Sequence, residues 1–162
     1  MFVIRQYTKE DIAAIVPRKS QLTRLHAAID PGYYAPARNA DGEFENYLRK
    51  RVNDADFKLL VAKDNDRCVG YVMGWIEQRP PIYLKRTVGY LSNIFVDEAC
   101  QKQKVGENLY RGIEAWFKHK KVDFIEIRAD ARNSAAIRSF KKYGLKELSI
   151  TFYKSAGADT SE

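Results

Sequence analysis

Residues 90–106, YLSNIFVDEACQKQKVG, constrain the fold more than any other stretch of the chain. An apolar run ends in a short polar loop, and the loop ends in a glycine where a helical pattern begins. A strand that feeds a loop at a helix N-terminus aims unpaired backbone N–H groups and the positive end of the helix dipole at one point. That arrangement holds phosphate. It also needs a sheet to carry the strand and a second strand to receive the chain after the helix.

The remaining pattern supplies both. Leu109, Tyr110, Ile113, Trp116 and Phe117 recur at helical spacing up to about Lys120, where Lys118, Lys120 and Lys121 suit the negative end of the dipole. Residues 122–129 (VDFIEIRA) then read as a strand, so 87–129 predicts a parallel strand–helix–strand crossover. Upstream, residues 2–5, 57–62, 68–76 and 87–96 read as strands, the middle pair joined by a hairpin turn over 63–67. Gly70 and Gly74 mark a bulge or close packing in the return strand. Thr8 with Asp11 predicts a helix start that Pro17 interrupts, followed by a second helical stretch over 21–29 with His26 on its apolar face. Residues 30–36 read as a loop, and Phe44, Tyr47, Leu48 and Val52 as a further helix. Residues 133–143 predict a helix closed by Gly144, and 145–153 a last strand. The chain is therefore expected to form one domain over residues 1–154, of mixed α/β class, with a disordered tail over 155–162.

Charge narrows the partners. A net charge of +7 fits nucleic acid, a membrane surface or an anionic ligand, but the basic residues are spread along the chain and form no recognition motif. A polyanionic cofactor explains them as well, and nucleic acid is not expected as a partner. No apolar run reaches the length of a membrane span and no secretory signal is visible at the start, so no membrane partner is expected. With two cysteines in no metal-like spacing and two histidines, neither a disulfide scaffold nor a metal site is expected, and a cytoplasmic location fits.

Taken in order, several of these pieces resemble the GNAT superfamily of acetyl-CoA-dependent N-acetyltransferases. They are the strand 91–96 (LSNIFV), the loop 101–106 (QKQKVG), the strand 124–127 (FIEI), Asn133 to Ala136 (NSAA) and the helix end 140–145 (FKKYGL). The resemblance covers residues 2 to about 153. It implies a mostly antiparallel central sheet with a parallel strand pair splayed at the cofactor site and helices on both faces. It implies acetyl-CoA bound by Ile94, Phe95, Val96, Gln101, Lys102, Gln103, Lys104, Val105, Gly106, Glu107, Asn133, Ala136, Phe140 and Tyr143. It also implies acetyl transfer to a primary amine of a small molecule, peptide or protein, and a possible homodimer.

Three positions depart from that family's pattern. Lys104 stands where its first loop glycine is usual, and it keeps the backbone amide while adding a charge. Phe140 stands where many members carry a tyrosine that protonates the leaving thiolate, and Tyr90 where the histone-type branch has a glutamate base. Thiols are acidic, so the missing tyrosine affects the least demanding step. The amine is the harder problem: at pH 7 roughly one in 2,500 is neutral at an unperturbed pKa near 10.4. The expected catalytic set is Tyr90 and Ser92 holding a water, Glu77 or Glu126 as acceptor, and a backbone N–H from a bulged strand near Ile94 as oxyanion donor. An aromatic lining of Tyr33, Tyr34, Trp75, Tyr83, Tyr90 and Tyr153 suits a cationic acceptor. A rival reading is a catalytically degenerate acyl-CoA-binding sensor or partner module.

Overall fold

The computed structural model describes residues 2–157, so the tail expected from residue 155 lies outside the described residues from 158 onward. Its strands are β1 (Phe2–Gln6), β2 (Phe57–Asp64), β3 (Arg67–Gln78), β4 (Thr87–Val96) and β5 (Phe124–Ile127). They form one sheet in the order β1-β2-β3-β4-β5, antiparallel except for the parallel pair β4–β5. Period-two alternation divides the apolar side chains between two faces. Leu59, Val61, Tyr71 and Met73 face α1 (Ile12–Ile29) and α3 (Ala40–Arg51), where Ile12, Ile15 and Leu48 complete one core. Leu60, Ala62, Val72 and Leu91 face α4 (Val105–His119) and bury Leu109, Ile113 and Phe117. The short α2 (Pro31–Tyr34) reaches the connection after β5 through Tyr34, which donates to Asp130, and α5 (Ser134–Lys142) shares a cleft with the ends of β4 and β5.

Two features of β4 position the site. Met73 pairs with Asn93 but Gly74 pairs with Leu91, so Ser92 is an extra residue that bulges the strand. Gly74 permits this: a Cβ there would lie 2.7 Å from the Tyr90 carbonyl oxygen and 2.9 Å from the Phe117 ring. The parallel pairing with β5 ends at Leu91–Ile127. From Ser92 onward β4 and β5 separate, leaving the alternate N–H groups that point away from β3 without a strand partner.

The structure corrects three sequence expectations. Pro17 does not interrupt α1, which runs unbroken for 18 residues. Proline removes only the one backbone bond to the Ala13 carbonyl, and buried Ile12 and Ile15 hold the first turns against the core. Residues 145–153 form no strand. Their alternating Leu148, Ile150 and Phe152 are 80%, 78% and 90% exposed, because no layer covers that side and no strand pairs with them. The segment is held instead by a Lys141–Glu147 ion pair of 2.7 Å and by the Tyr153 hydroxyl donating to Asp30. Residues 30–36, read as a loop, include the single turn α2, whose N-cap Asp30 accepts from the Tyr33 N–H at 3.0 Å.

Candidate active site

The gap between β4 and β5 opens into a cleft of about 530 Å3 that extends from the start of α4 across the sheet to α1. Its two ends are built differently.

At the α4 end the backbone is specialised. Lys102 and Lys104 both adopt positive φ, 68° and 61°, and Lys104 is the N-cap of α4. This left-handed conformation costs a non-glycine residue about 1–2 kcal/mol. The glycine expected at 104 is therefore replaced at a position whose geometry favours glycine. No side chain caps α4, so its first N–H groups have no intrahelical partner and face the cleft with two ammonium groups beside them. Gly106 keeps this mouth open: its nearest neighbours to an added Cβ are the Tyr143 hydroxyl and Val96 Cγ2, both at 3.5 Å. Tyr143 stacks on Tyr110 at 4.5 Å and 12°. Its phenol, raised first by burial and then by Glu107, points to the loop end of the cleft. Asn133 caps α5 by accepting from the Ala136 N–H at 3.1 Å, and both residues line the cleft, as does Phe140. This uncapped, glycine-opened and basic mouth fits a phosphate-bearing cofactor.

The other end is assembled from distant elements. Ser92, Asn93 and Ile94 come from the bulged part of β4, Leu22 and His26 from α1, and Arg128 from the residue after β5. Asn93 Oδ1 is buried without a hydrogen-bond partner, while its Nδ2 donates to the Ser92 carbonyl at 2.8 Å. Across the rim, Arg132 donates to Asp130 at 2.8 Å and Asp30 at 3.1 Å, and the Tyr34 hydroxyl donates to Asp130 at 3.1 Å. Arg132 holds Asp130 well below the usual carboxylate range. This clasp joins the end of α1 to the β5–α5 connection.

Most of the expected residues meet in the cleft: Ser92, Ile94, Val96, Gln101, Lys102, Lys104, Val105, Gly106, Glu107, Asn133, Ala136, Phe140 and Tyr143. Five do not line it, among them Glu126, which pairs with Tyr90 between β4 and β5. Phe95 is buried against Tyr71 in the α1-side core. Gln103 turns back to donate to the Ala99 carbonyl at 3.2 Å. Tyr90 lies on the sheet face beside the cleft, 5.1 Å from Trp75, with the Arg128 guanidinium 5.6 Å over its ring. Glu77 lies further along β3, exposed, accepting from Trp75 Nε1 at 2.6 Å. The bulge falls at Ser92, two residues before the position where a free amide was expected. Leu22, His26 and Asn93 line the cleft without having been singled out for it. The spacing of Leu22 and His26 on one helical face was visible, but which surface that face meets is set by the packing of α1. No group of acidic, histidine or cysteine side chains suited to a metal is present among the described residues.

Comparison with known proteins agrees with this architecture. Residues 21–145 match the family model described as acetyltransferase (GNAT) family. No curated protein matches in sequence. Among solved structures, a mutant of the BH1408 protein from Bacillus halodurans superposes with a TM-score of 0.83 at 20% identity, over 94% of this chain and 98% of that one. The aminoglycoside N-acetyltransferase AAC(6')-Iy, crystallised with CoA, gives 0.76 at 16% identity, over 97% and 96%. Glucosamine-6-phosphate N-acetyltransferase from Arabidopsis thaliana gives 0.72 at 16%, over 97% and 99%. At these identities the likeness is one of fold.

Proposed function

The chain belongs to the acetyltransferase (GNAT) family, and from that premise we propose that it transfers an acetyl group from acetyl-CoA to a primary amine. The observation that carries the reading is the cleft itself: one continuous space joins the basic, uncapped N-terminus of α4 to the bulge of β4. The pyrophosphate is assigned to the backbone of residues 102–107 with Lys102 and Lys104 beside it, and the pantetheine arm to the gap between β4 and β5. Asn133, Ala136 and Phe140 flank the arm from α5. The thioester then lies beside the bulge, where an outward N–H of residues 92–94 supplies the oxyanion donor. Such a donor is worth about 10²–10³ in rate.

The acceptor is assigned to the sheet face next to the bulge. Trp75 and Tyr90 provide aromatic surface there; burial raises the Tyr90 phenol first, Arg128 lowers it, and Glu77 and Glu126 push it up again. Carboxylates beside aromatic rings suit a cationic amine. Two of the structural neighbours, an aminoglycoside and a glucosamine-6-phosphate N-acetyltransferase, take amine acceptors compatible with such a site.

The test has two stages. Acetyl-CoA is expected to raise the melting temperature of the parent chain, and the pair Lys104→Glu with Gly106→Glu to abolish the shift. Thiol release with a panel of polyamines, aminosugars and lysine peptides then identifies the acceptor. A parent chain with no thermal shift would overturn the reading. A shift without turnover on any amine would favour the acyl-CoA-binding module, a reading supported by the absence of a hydroxyl at Phe140.

A further inference from the structure

We propose that His26 on α1 is the general base that takes the proton from the acceptor's ammonium group. This rests on the acetyl-transfer reading and assigns the step for which none of Tyr90, Glu77 and Glu126 lines the cleft.

The argument is one of position and elimination. His26 and Leu22, one helical turn apart, are the two α1 residues in the cleft, and they share it with Ser92, Asn93 and Ile94 of the bulge. Neither ring nitrogen of His26 has a hydrogen-bond partner among the described residues, so a lone pair is available. The other titratable groups in the cleft are unsuited. Its lysine and Arg128 side chains are hydrogen-bond donors with no acceptor atom to offer. Glu107 belongs to the α4 mouth and is ion-paired with Arg111 at 2.6 Å. Cys100 is buried, and the Tyr143 hydroxyl is directed to Gly106. A phenol such as Tyr90, already raised by burial, holds its proton too firmly to act as a base at pH 7.

The surroundings keep the imidazole ready. Burial lowers its pKa first, Lys19 on the same helix lowers it further, and Asp130 from the β5–α5 connection opposes both. Asp130 is itself occupied by Arg132 and by Tyr34, whose ring packs 5.5 Å from the imidazole. The net direction is downward, so His26 is neutral at pH 7 and able to accept a proton. In the reaction, His26 removes one proton from the ammonium. The nitrogen lone pair forms the C–N bond to the acetyl carbon, and the C–S bond breaks. The second nitrogen proton reaches the departing thiolate through water, and His26 returns its proton to solvent. The balance is ammonium plus acetyl-CoA to amide, CoA thiol and one proton.

Two measurements test this, one without turnover. In the first, His26→Gln is compared with the parent on the best amine of the panel. The expected result is a fall of about 10²-fold or more in kcat/KM at pH 7. The acid limb of the parent's pH profile, which lies below the ordinary imidazole pKa of about 6.5, should disappear in the variant. An unchanged thermal shift with acetyl-CoA shows that the variant is folded and loaded. A loss under threefold with the acid limb retained would overturn the assignment. In the second, the His26 ring resonance, identified by its absence from His26→Gln, is followed by NMR against pH. It is expected to titrate below the ordinary imidazole value and to shift with acetyl-CoA more than with CoA. A ring that titrates as free imidazole and ignores the acetyl group would overturn it equally. A parent that turns over no amine would sink the transferase reading instead, while the NMR measurement still decides where His26 points.

Discussion

The two ends of the cleft are made in opposite ways. The α4 end is local: Val96, the loop 101–104 and the first turn of α4 follow one another in sequence, and their chemistry is mostly backbone. The reacting end is composite: α1, the β4 bulge and the β5–α5 connection contribute side chains separated by up to about a hundred residues, as in the Arg132–Asp30 contact. A local site needs few long-range decisions to form and tolerates side-chain change wherever the backbone is preserved. A composite site depends on how elements dock, and small errors of docking reach the reacting atoms.

The sharpest way to break this contrast is at Gly106. A Cβ there meets only ordinary contacts at 3.5 Å, so Gly106→Glu should leave the fold intact while placing a carboxylate where the phosphates are assigned. Affinity for acetyl-CoA is expected to fall at least about 100-fold, or about 2.7 kcal/mol, with the ligand-free melting temperature nearly unchanged. Calorimetric titration and a thermal melt read both. If the ligand-free protein melted far earlier, the glycine would be structural and the α4 end would be less local than it looks.

This contrast explains what could be read from the sequence. The loop was legible because a strand, a polar stretch and a helix start are each local patterns, and the five strands and the α4 core followed from periods of two and 3.6. The conformation of Lys104 was not legible, since a lysine gives no sign of positive φ. Nor was the place of the bulge: register is settled by pairing, and here by the room that Gly74 leaves for Tyr90 and Phe117. The pattern at 145–153 was strand-like, yet a strand forms only where a neighbour pairs with it and a layer covers it. His26 carried a helical-face signal but no cleft signal, because the cleft exists only once α1 has docked.

Arg18 tests whether docking of α1 couples the ends. From α1 its guanidinium reaches Asp97 just after β4 at 2.7 Å and also donates to the Cys68 carbonyl. Arg18 and Asp97 are only 17% and 22% exposed, so Arg18→Leu leaves a poorly solvated carboxylate without its partner. Stability is expected to drop by about 2–3 kcal/mol, measured by urea unfolding. The fall in kcat/KM should exceed the loss of acetyl-CoA affinity. Equal losses would mean that the α4 end depends on α1 as much as the reacting end does.

The clasp gives a smaller and more selective effect. Arg132→Ala removes the contacts to Asp130 and Asp30 across the rim of the reacting end. Because this pair of contacts is partly exposed, the expected loss in kcat/KM for the amine is about tenfold, with acetyl-CoA affinity unaltered. A matching loss of acetyl-CoA binding would show that the rim shapes the whole cleft.

Lys104→Gly separates backbone from charge within the α4 end and should have the smallest effect. Glycine relieves the left-handed conformation, worth about 1–2 kcal/mol, but the unfolded chain gains about 0.5–1 kcal/mol of freedom. The net gain in stability is therefore expected to be about 0–1.5 kcal/mol. The lost ammonium acts in the other direction and on a different quantity. An exposed charge pair contributes about 0.2–1 kcal/mol, so acetyl-CoA binding should weaken by about 1.4-fold to fivefold, and less so at high salt. A variant that melts later yet binds more weakly would show that Lys104 trades backbone strain for a contact with the phosphates. If binding were unchanged instead, the pyrophosphate would be held by the N–H groups of α4 with little help from the side chain.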